Sequence, residues 1–69
     1  MIRDLKAFYV LIVNNQVVVF DTNLKLFCQQ VNRYEPKTRN YDWFYRQFQK
    51  GNYFESVIDD KIFYFQKVV

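Results

Sequence analysis

Residues 7–21 read AFYVLIVNNQVVVFD, and the way this stretch turns back on itself decides the rest of the chain. Asn14-Asn15 stands at its middle. Asparagine tolerates positive φ better than other non-glycine residues, so a two-residue hairpin turn is expected there. The flanks are Tyr, Phe, Val, Leu and Ile, side chains that suit a pleated surface. A two-residue loop sets Val13 opposite Gln16, Ile12 opposite Val17, Leu11 opposite Val18 and Val10 opposite Val19. One face then carries Phe8, Val10, Ile12, Val17 and Val19, and the other Tyr9, Leu11, Val13, Val18 and Phe20. Neither face is polar. This hairpin demands cover on both sides.

On its N-terminal side lies a polar lead-in, Met1 to Lys6, with the first strand expected from about Leu5 to Val13. On its C-terminal side Asp21-Thr22-Asn23 offers three candidate helix N-caps. From Leu24 the apolar period changes from two to about 3.6. Leu24, Phe27, Cys28, Val31 and Tyr34 form one helical stripe, with Leu26 left outside it. Pro36 limits this helix, because the residue before a proline is pushed out of the helical region. Lys37 to Arg39 is the connection. Asn40 then caps a second helix, Tyr41 to Lys50, with Tyr41, Phe44, Tyr45 and Phe48 as its expected inward stripe. Gly51, the sequence's only glycine, stands where a helix C-cap would want one.

Tyr53 to Ile58 and Lys61 to Val68 read as a second hairpin around Asp59-Asp60. Phe54, Ile58, Phe63 and Phe65 share one face with Ser56 and Lys61. Tyr53, Glu55, Val57, Ile62, Tyr64 and Gln66 share the other, which makes this hairpin more nearly one-sided than the first. The order β-β-α-α-β-β predicts a single α+β domain spanning residues 1–69, a four-stranded antiparallel sheet with two helices packed on one face.

Sixty-nine residues leave a thin stability margin, since a chain this short buries only about 60% of its unfolded surface. Disulfides, a metal or oligomerisation usually compensate. The lone Cys28 excludes an intramolecular disulfide, and without histidine a zinc site is poorly supplied. Oligomerisation and a dense aromatic core remain, the latter from eight Phe, six Tyr and one Trp. One unpaired cysteine and no apolar leader fit a reducing cytosol. The longest apolar run, Ala7 to Val13, is far too short to cross a bilayer as a helix.

Catalysis is equally poorly supplied. No histidine is present for acid–base work near neutral pH. Ser56 lies inside an expected strand, and a single glycine cannot make a phosphate loop. Asp59-Asp60 reads as a turn and not a metal site, and Cys28, inside an apolar stripe, reads as an inert thiol. The chain is therefore expected to bind without catalysing, with no cofactor, small-molecule substrate or membrane.

The charge is unevenly placed. Between residues 33 and 50, Arg33, Lys37, Arg39, Arg46 and Lys50 face only Glu35 and Asp42, so this window holds the whole formal excess of +3. Helical spacing sets Trp43, Arg46 and Lys50 opposite the inward stripe. Cationic and aromatic side chains together suit nucleic acid or an acidic protein surface. The expected partner-binding set is thus Arg33, Lys37, Arg39, Trp43, Arg46 and Lys50. A plainer arrangement packs Trp43 on the first helix beneath Arg46. The alternative function is a protein-interaction or inhibitory module that uses an apolar sheet face. That face also predicts a homodimer, because five exposed apolar side chains forfeit on the order of 10 kcal/mol of burial.

Overall fold

Asn14 and Asn15 both adopt positive φ, 54° and 64°, as a type I′ turn requires. In the computed structural model, which describes residues 7–68, they join β1 (Phe8–Val13) to β2 (Gln16–Asp21). Asp59 and Asp60, at φ 52° and 66°, make the same turn between β3 (Tyr53–Ile58) and β4 (Lys61–Val68). Between the hairpins lie α1 (Leu24–Tyr34) and α2 (Tyr41–Lys50). The lead-in Met1 to Lys6, and with it the expected strand start at Leu5, lies outside the described residues.

The four strands form one antiparallel sheet in the order β2-β1-β4-β3. The first and last described strands are thereby central, with Leu11 paired to Phe65 and Phe8 to Val68. Strand β1, apolar on both sides, suits that position because a central strand is flanked and covered most.

The first hairpin departs from the simple register. Val13 meets Gln16 and Ile12 meets Val17, but Leu11 then meets Val19 and Val10 meets Phe20. Val18 is the extra residue of a β-bulge, which lets two consecutive residues share one side. Val19 therefore joins the helix-facing side and is buried, and Phe20 moves to the outer side, half exposed. The same step brings Asp21 round to the helices. Its carboxylate accepts from the Asn23 N–H at 2.9 Å and from Gln30 Nε2 at 2.7 Å. Asn23 in turn caps α1, its Oδ1 accepting from the Leu26 N–H at 3.0 Å.

Helix α1 ends at the expected place. Glu35, before Pro36, is extended, and its N–H still reaches the Val31 carbonyl at 2.8 Å. Asn40 caps α2 through the Trp43 N–H at 3.0 Å. Gly51 closes α2 at φ −178°, extended backbone that any residue adopts, so the left-handed cap expected there does not form.

Both helices cover the same sheet face. Leu11, Val31, Phe27, Phe44, Phe63 and Phe65 are its fully buried side chains. Phe65 is the hub, with ring centroids 5.0 Å from Phe44, 5.0 Å from Phe54 and 6.4 Å from Phe27. The inward stripe of α2 is narrower than expected. Phe44 and Phe48 are buried, whereas Tyr41 and Tyr45 remain substantially exposed, with their rings 6.1 Å apart. The helix is instead turned towards β3, where Phe54 receives Trp43 at 5.4 Å and Phe48 at 4.9 Å.

Candidate interaction surfaces

Trp43 does not stand out from α2 on the side away from the core. It is half-buried, edge-on to Phe44 at 5.1 Å and to Phe54 at 5.4 Å. The guanidinium of Arg39, and not that of Arg46, lies over its ring at 5.4 Å. Such a contact at an exposed site contributes about 0.5–1 kcal/mol. Arg39 is held there by the connection it belongs to. Asn32, in the last turn of α1, donates to the Cys28 carbonyl at 2.8 Å and to the Arg39 carbonyl at 3.3 Å.

Lys37 is placed by the other hairpin. Its Nζ donates to Asp59 at 2.8 Å and 3.0 Å, and this bond and the carboxylate's charge raise the ammonium's pKa. Both side chains are exposed, so the pair adds little to stability. Lys37, Arg39 and Trp43 converge on a cleft of about 240 Å³ between the interhelical connection, α2 and β3, with Thr38, Ser56 and Ile58 among the other residues of its wall. The remaining three residues of the expected set stand elsewhere. Arg33 lies beside Val18 and Tyr34 on the far side of α1, and Arg46 and Lys50 are exposed along α2. The charge window is therefore not one patch. Nothing in the sequence marks Thr38 and Ser56 as neighbours, because only the tertiary pairing of the connection with β3 brings them to this cleft.

Cys28 is buried under α1, and burial pushes its thiol up to about 12. That agrees with an inert core cysteine. Burial likewise raises Tyr9 above its ordinary value, with Tyr41 and Cys28 adding to the effect.

The sheet face away from the helices is the larger feature. On β1 it presents Phe8, Val10 and Ile12, and on β2 Val17 and Phe20, with the Phe8 and Phe20 rings 5.3 Å apart. On β3 it presents Tyr53, Glu55 and Val57. On β4 it presents Ile62, Tyr64, Gln66 and Val68. Ten of these twelve positions are apolar or aromatic. Six of the ten keep between 43% and 67% of their surface exposed. No described helix covers them, and neither described helix is long and apolar enough to cross a membrane. Among the described residues the one charged group on this face, Glu55, accepts from the Tyr53 hydroxyl at 3.0 Å. Partial desolvation, then that bond, raise Tyr53's pKa. The second hairpin, expected to be the more one-sided, contributes half of the apolar positions here.

No protein-family model matches the chain, and no curated protein or solved structure is significantly similar to it.

Proposed function

We propose that this chain is a non-catalytic protein-interaction module whose working surface is the open face of its sheet. The observation that carries the reading is the make-up of that face, in which ten of twelve positions are apolar or aromatic and only Glu55 is charged. Folded monomers rarely expose a contiguous apolar patch beyond a few hundred Å², and larger ones mark sites of association. Interface cores are depleted in charge and rich in aromatic residues, which is the composition met here. A reducing cytosol is the proposed setting, on the strength of the single buried thiol.

A second reading, an anionic partner such as nucleic acid or an acidic protein, is favoured by the convergence of Lys37, Arg39 and Trp43 on one cleft. It ranks below the first because Lys37 is already paired with Asp59 and Arg39 already stacked on Trp43. The two readings differ in salt dependence, since phosphate binding releases counterions and weakens steeply as salt rises. Association of the purified chain, and its retention of host proteins, should be measured at low and high salt. The comparison should include Phe20→Lys and a Lys37→Glu/Arg39→Glu double variant. Loss with Phe20→Lys alone, at either salt, is the expected result. Loss with the double variant and with salt, but not with Phe20→Lys, would replace the sheet-face reading by the anionic one.

A further inference from the structure

We infer that the open sheet face is covered by a second copy of this chain, related by a two-fold axis that runs across the strands. The inference rests on the proposed role of that face and names its occupant. The first support is area. Aromatic side chains carry on the order of 150–250 Å² each when fully exposed, and valine and isoleucine less. At the exposures observed, the face offers on the order of 700 Å² per copy, enough for a standard interface of about 1,600 Å² in total to be nearly met.

The second support is the register, which fixes what meets what. Two rows of outward side chains cross the middle of the sheet. Phe20, Val10, Gln66 and Tyr53 form one, in the order of the strands, and Val17, Ile12, Tyr64 and Glu55 form the next. Face-to-face sheets pack about 10 Å apart with strand directions within about 30°. A two-fold axis lying between the rows and across the strands sets each row over the other row of the second copy. Glu55 then meets Tyr53 of the second copy, and Gln66 meets Tyr64 of the second copy. Both polar groups face a hydroxyl, and the four apolar side chains of β1 and β2 face one another. An axis parallel to the strands instead sets Glu55 over Val17 and Gln66 over Val10. That arrangement buries a carboxylate and an amide against hydrocarbon, which is costly without a partner. The first axis is self-complementary and the second is not.

Light scattering at micromolar concentration should give twice the chain mass. Phe20→Lys, and separately Val17→Lys, should give the single mass with an unchanged circular dichroism spectrum. Two such variants guard against one failing to fold. The axis is tested with variants that each carry one added cysteine, bridged by a bismaleimide that reaches about 10 Å, the spacing of packed sheets, with Cys28 buried and unreactive. Val17→Cys mixed with Phe20→Cys should cross-link, and Val17→Cys mixed with Glu55→Cys should not. The opposite cross-linking pattern would overturn the axis. A wild-type chain that is monomeric and soluble would overturn the second copy as occupant. If that monomer still binds another protein and loses it with Phe20→Lys, the role proposed for the face survives. If no association depends on Phe20, both fall together.

Discussion

Phe44 sits where both helices and the sheet meet, 5.0 Å from Phe65, 6.4 Å from Phe27 and 6.2 Å from Phe54, with no exposed surface. Phe44→Ala is expected to lower stability by about 3–5 kcal/mol, the range for a fully buried ring whose site cannot collapse. Trp43, half-buried beside it, should cost about half as much, which separates the two unfolding midpoints in urea. Equal midpoints would mean that α2 is turned differently. Cys28 gives a second expectation at this scale. Its thiol stands near 12 against an ordinary 9, so the native state favours the protonated form. The stability this contributes is complete below pH 9 and is lost as pH rises through 12. Native protein should resist alkylation at pH 8 and react at the unfolding rate, whereas rapid labelling of folded chain would contradict the buried placement.

Among the elements, β2 carries the most specific geometry. The bulge at Val18 is an inserted residue, so deleting it should close the ladder with Val19 still inward, Phe20 outward and Asp21 still reaching α1. The expected loss is only Val18's own packing, about 1–2 kcal/mol. In an unbulged hairpin the same deletion would exchange Val19 with Phe20 between the faces and unfold the domain. A thermal melt of the deletion variant distinguishes the two. The end of α2 gives a milder test. Gly51 is extended, and a Cβ there meets nothing within 4 Å. Gly51→Ala should therefore change stability by no more than about 0.5 kcal/mol, whereas a left-handed cap would make the same change clearly destabilising.

For the whole molecule, the sheet divides two environments of similar composition. One face is filled by α1 and α2, and the other has equally apolar side chains and no covering element among the described residues. Association through that face should be nearly indifferent to salt, because Glu55 is its only charged side chain among the described residues. It should also weaken on cooling, because the hydrophobic contribution fades at low temperature. Sedimentation equilibrium over a range of salt and temperature checks both. An association that tightens at low salt would point to the cleft of Lys37, Arg39 and Trp43 instead.

Local chemistry determined most of the architecture. Asn14-Asn15 and Asp59-Asp60 specify turns because few other residues accept positive φ, Asn23 and Asn40 specify helix starts through their side-chain oxygens, and Pro36 ends α1 sterically. The even spacing of Phe54, Ile58, Phe63 and Phe65 likewise assigned the second hairpin's faces, since a strand alternates strictly. What the chain alone left open depends on which surfaces meet. The Val18 bulge is decided by the helix that Asp21 must reach through Gln30, and where every flanking residue is apolar, alternation cannot reveal it. Trp43 turns inward because Phe54 on a distant strand receives it, and Lys37 is claimed by a carboxylate 22 positions away. Sequence proximity gathered six candidate site residues into one window, but a helix and a connection point side chains in several directions. Only the folded chain decided that three of them share a cleft.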